Sequence, residues 1–238
     1  MPQVSVGKSV KLAGIGGCGC VLTFFLVLGT FLYMILFTNT CAKMLGEETY
    51  PLTSNPKNFD PFAGIEEVRA KVSPKAKLVS VQASFVRSDG TMDLTATYRP
   101  APRVTYEFDV VLDKAPAEAP PVGAGRGTND VWVQHVRVDC YEPGQRRHVK
   151  RISGSSSAEY DYINEGMDVD RGTPGMTKPP TDIGSPKLTT ANIWKLALAA
   201  GAPKDAVAQI EFDQNGYELS ISGTSINLQF DKNGTPIK

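Results

Sequence analysis

Between Leu12 and Phe37 this 238-residue chain carries no charged side chain, and that run limits its architecture more than any other feature. It holds Phe24, Phe25, Leu26, Val27, Leu28, Phe31, Leu32, Met34, Ile35, Leu36 and Phe37. As an α-helix it would reach about 39 Å at 1.5 Å per residue. A bilayer's hydrocarbon core is about 30 Å thick, so the run reads as one membrane-spanning helix with some tilt. The apolar region of a cleaved signal peptide is shorter, about 7–15 residues, and Thr40-Cys41-Ala42 matches a cleavage motif poorly. An uncleaved signal anchor is therefore expected. Ile15-Gly16-Gly17-Cys18 loosely resembles a lipobox, but the apolar stretch follows the cysteine instead of preceding it.

The flanks set the orientation. Lys8, Lys11 and the amino terminus precede the run without an acid, whereas Lys43 beyond it is offset by Glu47 and Glu48. Positive charge stays cytoplasmic. The expected division is a cytoplasmic N-terminus (1–11), a transmembrane helix (12–37), a juxtamembrane linker (38–60) and an extracytoplasmic domain (61–238), periplasmic or extracellular. The bilayer is then the first partner. Within the helix, Ala13/Gly17, Gly14/Cys18 and Gly16/Cys20 are small-xxx-small pairs that allow close helix approach. Self-association or packing on another membrane protein is one reading. The other is that glycine is simply common in membrane helices.

Beyond the membrane the chain reads as α+β. Asp60-Pro61 has the form of a helix start, Ile65, Val68 and Val72 keep helical spacing, and Ser73-Pro74 ends the pattern. Three alternating runs follow: Val79–Phe85, Met92–Tyr98 and Val104–Val110, with turns at Ser88-Asp89-Gly90 and Arg99-Pro100-Ala101-Pro102. Near the C-terminus the order recurs. Thr189 or Thr190 caps a helix that Gly201 stops. Strands are expected at Ala208–Phe212, Tyr217–Ile221 and Ile226–Phe230, with turns at Asn215-Gly216 and Gly223-Thr224. The expected fold is an antiparallel-sheet domain built from two helix-plus-three-strand units, 61–113 and 189–231, sharing one core. Between them, Lys114–Asp130 reads as a loop, Val131–Tyr141 and Arg146–Ile152 as strands, and 153–187 as a long loop rich in Ser, Gly and Pro.

Charge and chemistry narrow the function classes. Lys and Arg total 25 against 25 Asp and Glu; setting aside Lys8 and Lys11 leaves 23 against 25, a net of −2 beyond the membrane. Nucleic-acid binding needs a basic excess that is missing here. Gly14-Ile15-Gly16-Gly17-Cys18-Gly19 matches a dinucleotide fingerprint literally but lies inside the apolar run, without the strand that motif requires. His135, His148 and Cys140 lack zinc spacing. Asp168-Val169-Asp170 lacks the distal glutamate of a calcium loop. No cofactor and no metal is expected, and no catalytic residue is assigned. Cys41–Cys140 could pair outside the cytoplasm. The one dense basic run is Arg146, Arg147, His148, Lys150 and Arg151. With Trp132 and Tyr141 it could form a recognition face for an acidic partner, or its charges could protect an edge strand from aggregation.

The paired helix-plus-strand units, ending in Tyr217–Gly234, resemble PepSY-type extracytoplasmic modules and tandem α+β inhibitor proteins. The resemblance rests on element order and hairpin turns over about 100 residues. It implies a non-catalytic module that binds protein or peptide in the cell envelope. Two other classes stay open: a hydrolase-like envelope enzyme with dispersed catalytic residues, and a structural accessory subunit held in a complex by its membrane helix.

Overall fold

The computed structural model describes residues 48–98, 100–117, 129–142, 145–148, 160–163 and 166–237, and for 145–148 and 160–163 the backbone alone. All of these fall in one unit, Glu47–Lys238. In chain order the elements are β1 (Glu48–Pro51), a 3-10 turn (Pro56–Asn58), α1 (Ile65–Val72), β2 (Lys77–Val86), β3 (Val104–Val111), β4 (Val131–Cys140), β5 (Gln145–His148), β6 (Tyr160–Ile163), β7 (Gly166–Arg171), β8 (Gly175–Thr177), α2 (Thr190–Ala199), β9 (Ala208–Asp213), β10 (Gly216–Ser220) and β11 (Asn227–Phe230).

Nine strands form one antiparallel sheet in the order β1-β7-β4-β3-β2-β9-β10-β11, with β8 pairing the start of β4; β5 and β6 pair separately. Because side chains alternate across a strand, matched register puts all the apolar positions on one face. Val138 stands beside Tyr106 and Val169, Tyr106 beside Val81, Val81 beside Phe212, and Phe212 beside Tyr217. Both helices add to this core: Ile65, Val68 and Val72 from α1, and Ile193, Trp194 and Ala197 from α2. Phe62 extends it, with its ring 6.0 Å from Phe212 and 6.1 Å from Tyr217.

Three polar contacts fix the helices to the sheet. The buried Tyr106 hydroxyl donates to the Pro61 carbonyl at 2.7 Å, anchoring the turn that enters α1. The Thr190 hydroxyl donates to the Gly90 carbonyl at 2.6 Å, holding α2 against the turn after β2. Arg171 donates to both carboxylate oxygens of Glu48, at 2.5 and 3.0 Å, and to the Val72 carbonyl at 3.3 Å. It thereby ties β1 to β7 and to the end of α1.

The expected fold class is overturned. The described chain is mostly one nine-stranded antiparallel sheet with two α-helices, not two helix-plus-three-strand units. Residues 92–98, expected as a strand, form none. Met92 makes an isolated bridge to Phe59, exchanging backbone hydrogen bonds of 2.9 and 3.0 Å, and Leu94 donates to the Pro56 carbonyl at 2.8 Å. Both side chains are buried, so their alternation marks a loop plugging the core and not a ladder. The neighbour that β3 takes instead is β4, across Lys114–Asp130. The resemblance to PepSY-type and inhibitor modules rested on the unit order and falls with it.

Two segments read as irregular hold strands. The loop 153–187 contains β6, β7 and β8, with Met167 and Val169 reaching the core. The linker 38–60 contains β1 and the 3-10 turn, and Phe59 is buried. No helix among the described residues is long and apolar enough to cross a membrane; 12–37 lies outside them.

Register shifts also change which residues of β2 face inward. Irregularities between Leu78 and Ser80 and between Ala83 and Val86 make the inward set Leu78, Val81, Ala83 and Val86, so Val79 and Phe85 leave it. The second shift leaves two consecutive residues, Ser84 and Phe85, between two inward ones. Phe85 takes a left-handed φ of 61°, which costs an L-residue about 1–2 kcal/mol.

Candidate functional site

Trp132 and Tyr141, expected to join the basic run in one recognition patch, are not brought together. Trp132 and Tyr141 lie near opposite ends of β4. Nine strand positions separate them by about 30 Å and, being an odd number, turn them to opposite faces. Arg146, Arg147 and His148 sit on β5, opposite Tyr162, Asp161 and Tyr160 of β6. Lys150 and Arg151 lie outside the described residues, as do the helix-packing positions Ala13, Gly14, Gly16, Gly17, Cys18 and Cys20.

The weighed metal sets also separate. His135 projects from the polar face, 3.0 Å from an Asp109 carboxylate oxygen, while Cys140 points into the core as a free thiol. Burial and the neighbouring Asp139 push that thiol well above its ordinary range. Cys41, its weighed disulfide partner, is outside the described residues. Asp168 and Asp170 are alternate strand residues opposite Asp139 and Arg137, with Val169 inward between them. Among the described residues no group of three or more His, Cys, Asp or Glu could hold a metal ion. The two D-x-N-G segments are turns: the Asp213 carboxylate accepts from the Asn215 backbone at 2.7 Å, and that of Asp231 from Asn233 and Thr235 at 2.8 Å.

What the register does assemble is a polar face opposite the core. Across the sheet, cross-strand neighbours run Gln229, Glu218, Glu211, Gln82, Thr105, Asp139, Asp168 and Thr49. Its two halves differ. On β3 and β4 the charges are met locally. The Thr105 hydroxyl donates to Asp139 at 2.5 Å, Arg137 Nε lies 3.1 Å from Asp139 Oδ2, and the Ser80 hydroxyl donates to Glu107 at 3.0 Å. Thr105 and Asp139 are buried despite facing away from the helices.

On β9, β10 and β11 there is no Lys, Arg or His, and the face presents Gln209, Glu211, Asp213, Glu218, Ser220, Asn227 and Gln229. Glu211 and Glu218 are directly opposed, an arrangement that repels. Gln229 Nε2 donates to Glu218 at 3.4 Å, which offsets little of it. Beside them a hollow of about 230 Å³ is lined by Glu211, Asp213, Glu218, Gln229 and Ile237 among others. Ile237 reaches it because the C-terminal tail folds back, its backbone N–H donating to the Gln229 carbonyl at 2.8 Å. At the β2 end of this half, the Phe85 ring stacks on Tyr98 with centroids 4.7 Å apart and planes at 28°, and Tyr98 is 48% exposed.

Sequence reasoning missed this site because the C-terminal strands were read for their inward apolar alternation and not for the residues they send outward. The signal was there in the paired outward positions of a two-residue hairpin: Glu211 and Glu218 are symmetric about Gln214-Asn215. No family model matches the chain, and no curated protein or solved structure matches it either.

Proposed function

We propose that the chain is a single-pass membrane-anchored envelope protein whose extracytoplasmic domain is a non-catalytic protein- or peptide-binding module. The binding surface is the polar face of β9, β10 and β11. The observation that carries this reading is the one-sided sheet. Both helices contribute to a single core on one side, while the other side of the C-terminal strands presents a row of exposed and half-exposed polar residues beside a hollow. A broad strand surface of this kind offers side chains at fixed spacing on a rigid support. The membrane part rests on the uncharged run 12–37 and the flanking lysines.

The test is recovery of partners from detergent-solubilised membranes by mass spectrometry, using the full chain. A Glu211→Arg/Glu218→Arg variant should lose them, while Lys195→Glu on α2 should retain them. Recovery unchanged by the face substitution sinks the binding surface. Release of the intact full chain into the aqueous fraction without detergent sinks the anchor.

A further inference from the structure

We infer that the occupant of this face is an extended protein segment carrying Lys or Arg at alternate positions; this rests on the binding reading above and specifies its partner. Three independent features of the face converge on that chemistry. First, β9, β10 and β11 hold acids with no cation among them, and Glu211 stands directly opposite Glu218. A single ammonium or guanidinium between the two carboxylates turns their repulsion into two charge-assisted hydrogen bonds.

Second, the hollow beside them has an apolar wall, Ile237, which is 46% exposed. Lys and Arg have apolar stems behind charged heads, so a stem lies along Ile237 while its head reaches the carboxylates. A free metal ion would make no use of that wall. Third, Phe85, whose ring stacks on Tyr98, sits in the β2 irregularity that stands opposite Gln209 of β9. Aromatic faces attract cations. Glu211 and Gln209 are two residues apart on β9, roughly 7 Å, which is also the spacing of same-side residues in an extended peptide. One cation at the carboxylates and the next at the rings fits a strand lying along β9.

The probe is a fluorescent heptapeptide alternating Thr and Lys, titrated by anisotropy against the full chain in a neutral maltoside detergent. Peptides with Gln or Glu in place of Lys serve as comparisons. The lysine peptide should bind saturably and the other two more weakly. Glu211→Gln/Glu218→Gln should weaken binding about tenfold or more, without lowering the melting temperature, because it removes a like-charge pair. Tyr98→Ala should weaken it severalfold. Equal binding of the lysine and glutamine peptides, or equal binding by the double variant, overturns the cationic assignment. The partner-recovery experiment separates the two ideas. Partners that still depend on the face while the lysine peptide fails refute only this inference; partners indifferent to the face refute the binding surface itself.

Discussion

Gly90 is where the turn after β2 meets helix α2, and replacing it with alanine should be strongly destabilising. Its φ is +85°, and a Cβ there would lie 2.3 Å from the Ala191 nitrogen and 2.7 Å from its Cα. Backbone cannot yield as a flexible side chain can, so the turn and helix must separate. Separation breaks the buried hydrogen bond from Thr190 Oγ1 to the Gly90 carbonyl. The left-handed conformation costs alanine about 1–2 kcal/mol, and stranding the buried donor and acceptor costs about 1–3 kcal/mol more. Together they give a destabilisation of roughly 2–5 kcal/mol, or about 10 °C in melting temperature for a domain of this size. Two controls divide the effect. Gly223 has φ +78° with nothing within 4 Å of a Cβ, so Gly223→Ala should show the conformational cost alone. Gly175 has neither strain nor neighbours, so Gly175→Ala should lie between neutral and about 1 kcal/mol stabilising. Urea unfolding of the three variants in the same detergent measures all three values. If Gly90→Ala costs no more than Gly223→Ala, the turn is not docked on α2 and the close approach to Ala191 does not exist.

Further expectations concern single groups. Tyr106→Phe leaves the Pro61 carbonyl without its buried donor and should destabilise by about 1–3 kcal/mol in urea unfolding; an unchanged midpoint would mean that the α1 entry is held otherwise. Glu48 has its pKa lowered below 4.5, chiefly by the hydrogen bond from Arg171. A carboxylate depressed in the fold contributes stability above about pH 4.5 that disappears as pH falls through its lower folded value. Glu48→Gln should therefore melt lower than the parent at pH 7 and converge with it in acid, by a modest amount because the pair is partly solvated; a gap that persists at low pH refutes the ion-pair origin. Cys140, buried with a raised thiol pKa, should resist alkylation in the fold and react on unfolding, as read by peptide mass mapping. Recovery of Cys140 in a disulfide peptide would contradict its core position.

The sequence was legible where local chemistry and tertiary packing agree. The C-terminal hairpins follow the alternation of Ala208, Ile210, Phe212, Tyr217 and Leu219 around a two-residue turn. Thr189 caps α2 by accepting from the Asn192 backbone, and Gly201 ends the helix with φ +94°. Asp60 accepts from the Phe62 and Ala63 backbones as expected of a start signal, yet the α-helix begins only at Ile65, after a turn. Failures came where one signal has two physical readings. Met92 and Leu94 alternate like a strand but are buried by a loop crossing the edge of the core. In β7 only Met167 and Val169 send apolar side chains inward, between glycine and aspartates, so the strand owes its existence to β4 and β1 on either side. Bulges cannot be read from alternation at all, and the two in β2 moved Val79 and Phe85 out of the core set. What could not be read is the junction of the candidate face with the Phe85–Tyr98 rings, which depends on β2 meeting β9, a pairing between residues more than 100 positions apart.

That pairing also explains why the two halves of the polar face behave differently. On β3 and β4, Asp139, Glu107 and Asp109 each find a partner within the fold, from Arg137 and Thr105, from Ser80 and from His135. The sheet can therefore carry those acids at little electrostatic cost. On β9 and β10 the same alternation that sends Ile210 and Leu219 inward sends Glu211 and Glu218 outward into direct opposition, flanked by the neutral Gln229 and Gln82. Nothing in strand formation requires glutamate there, because Thr or Gln would pair better across an antiparallel ladder. Phe85 presents a parallel case: a left-handed φ where glycine or asparagine would be less strained, retained beneath an exposed tyrosine. Two local choices that work against stability fall close together on an otherwise self-consistent sheet, the pattern that the proposed binding surface predicts.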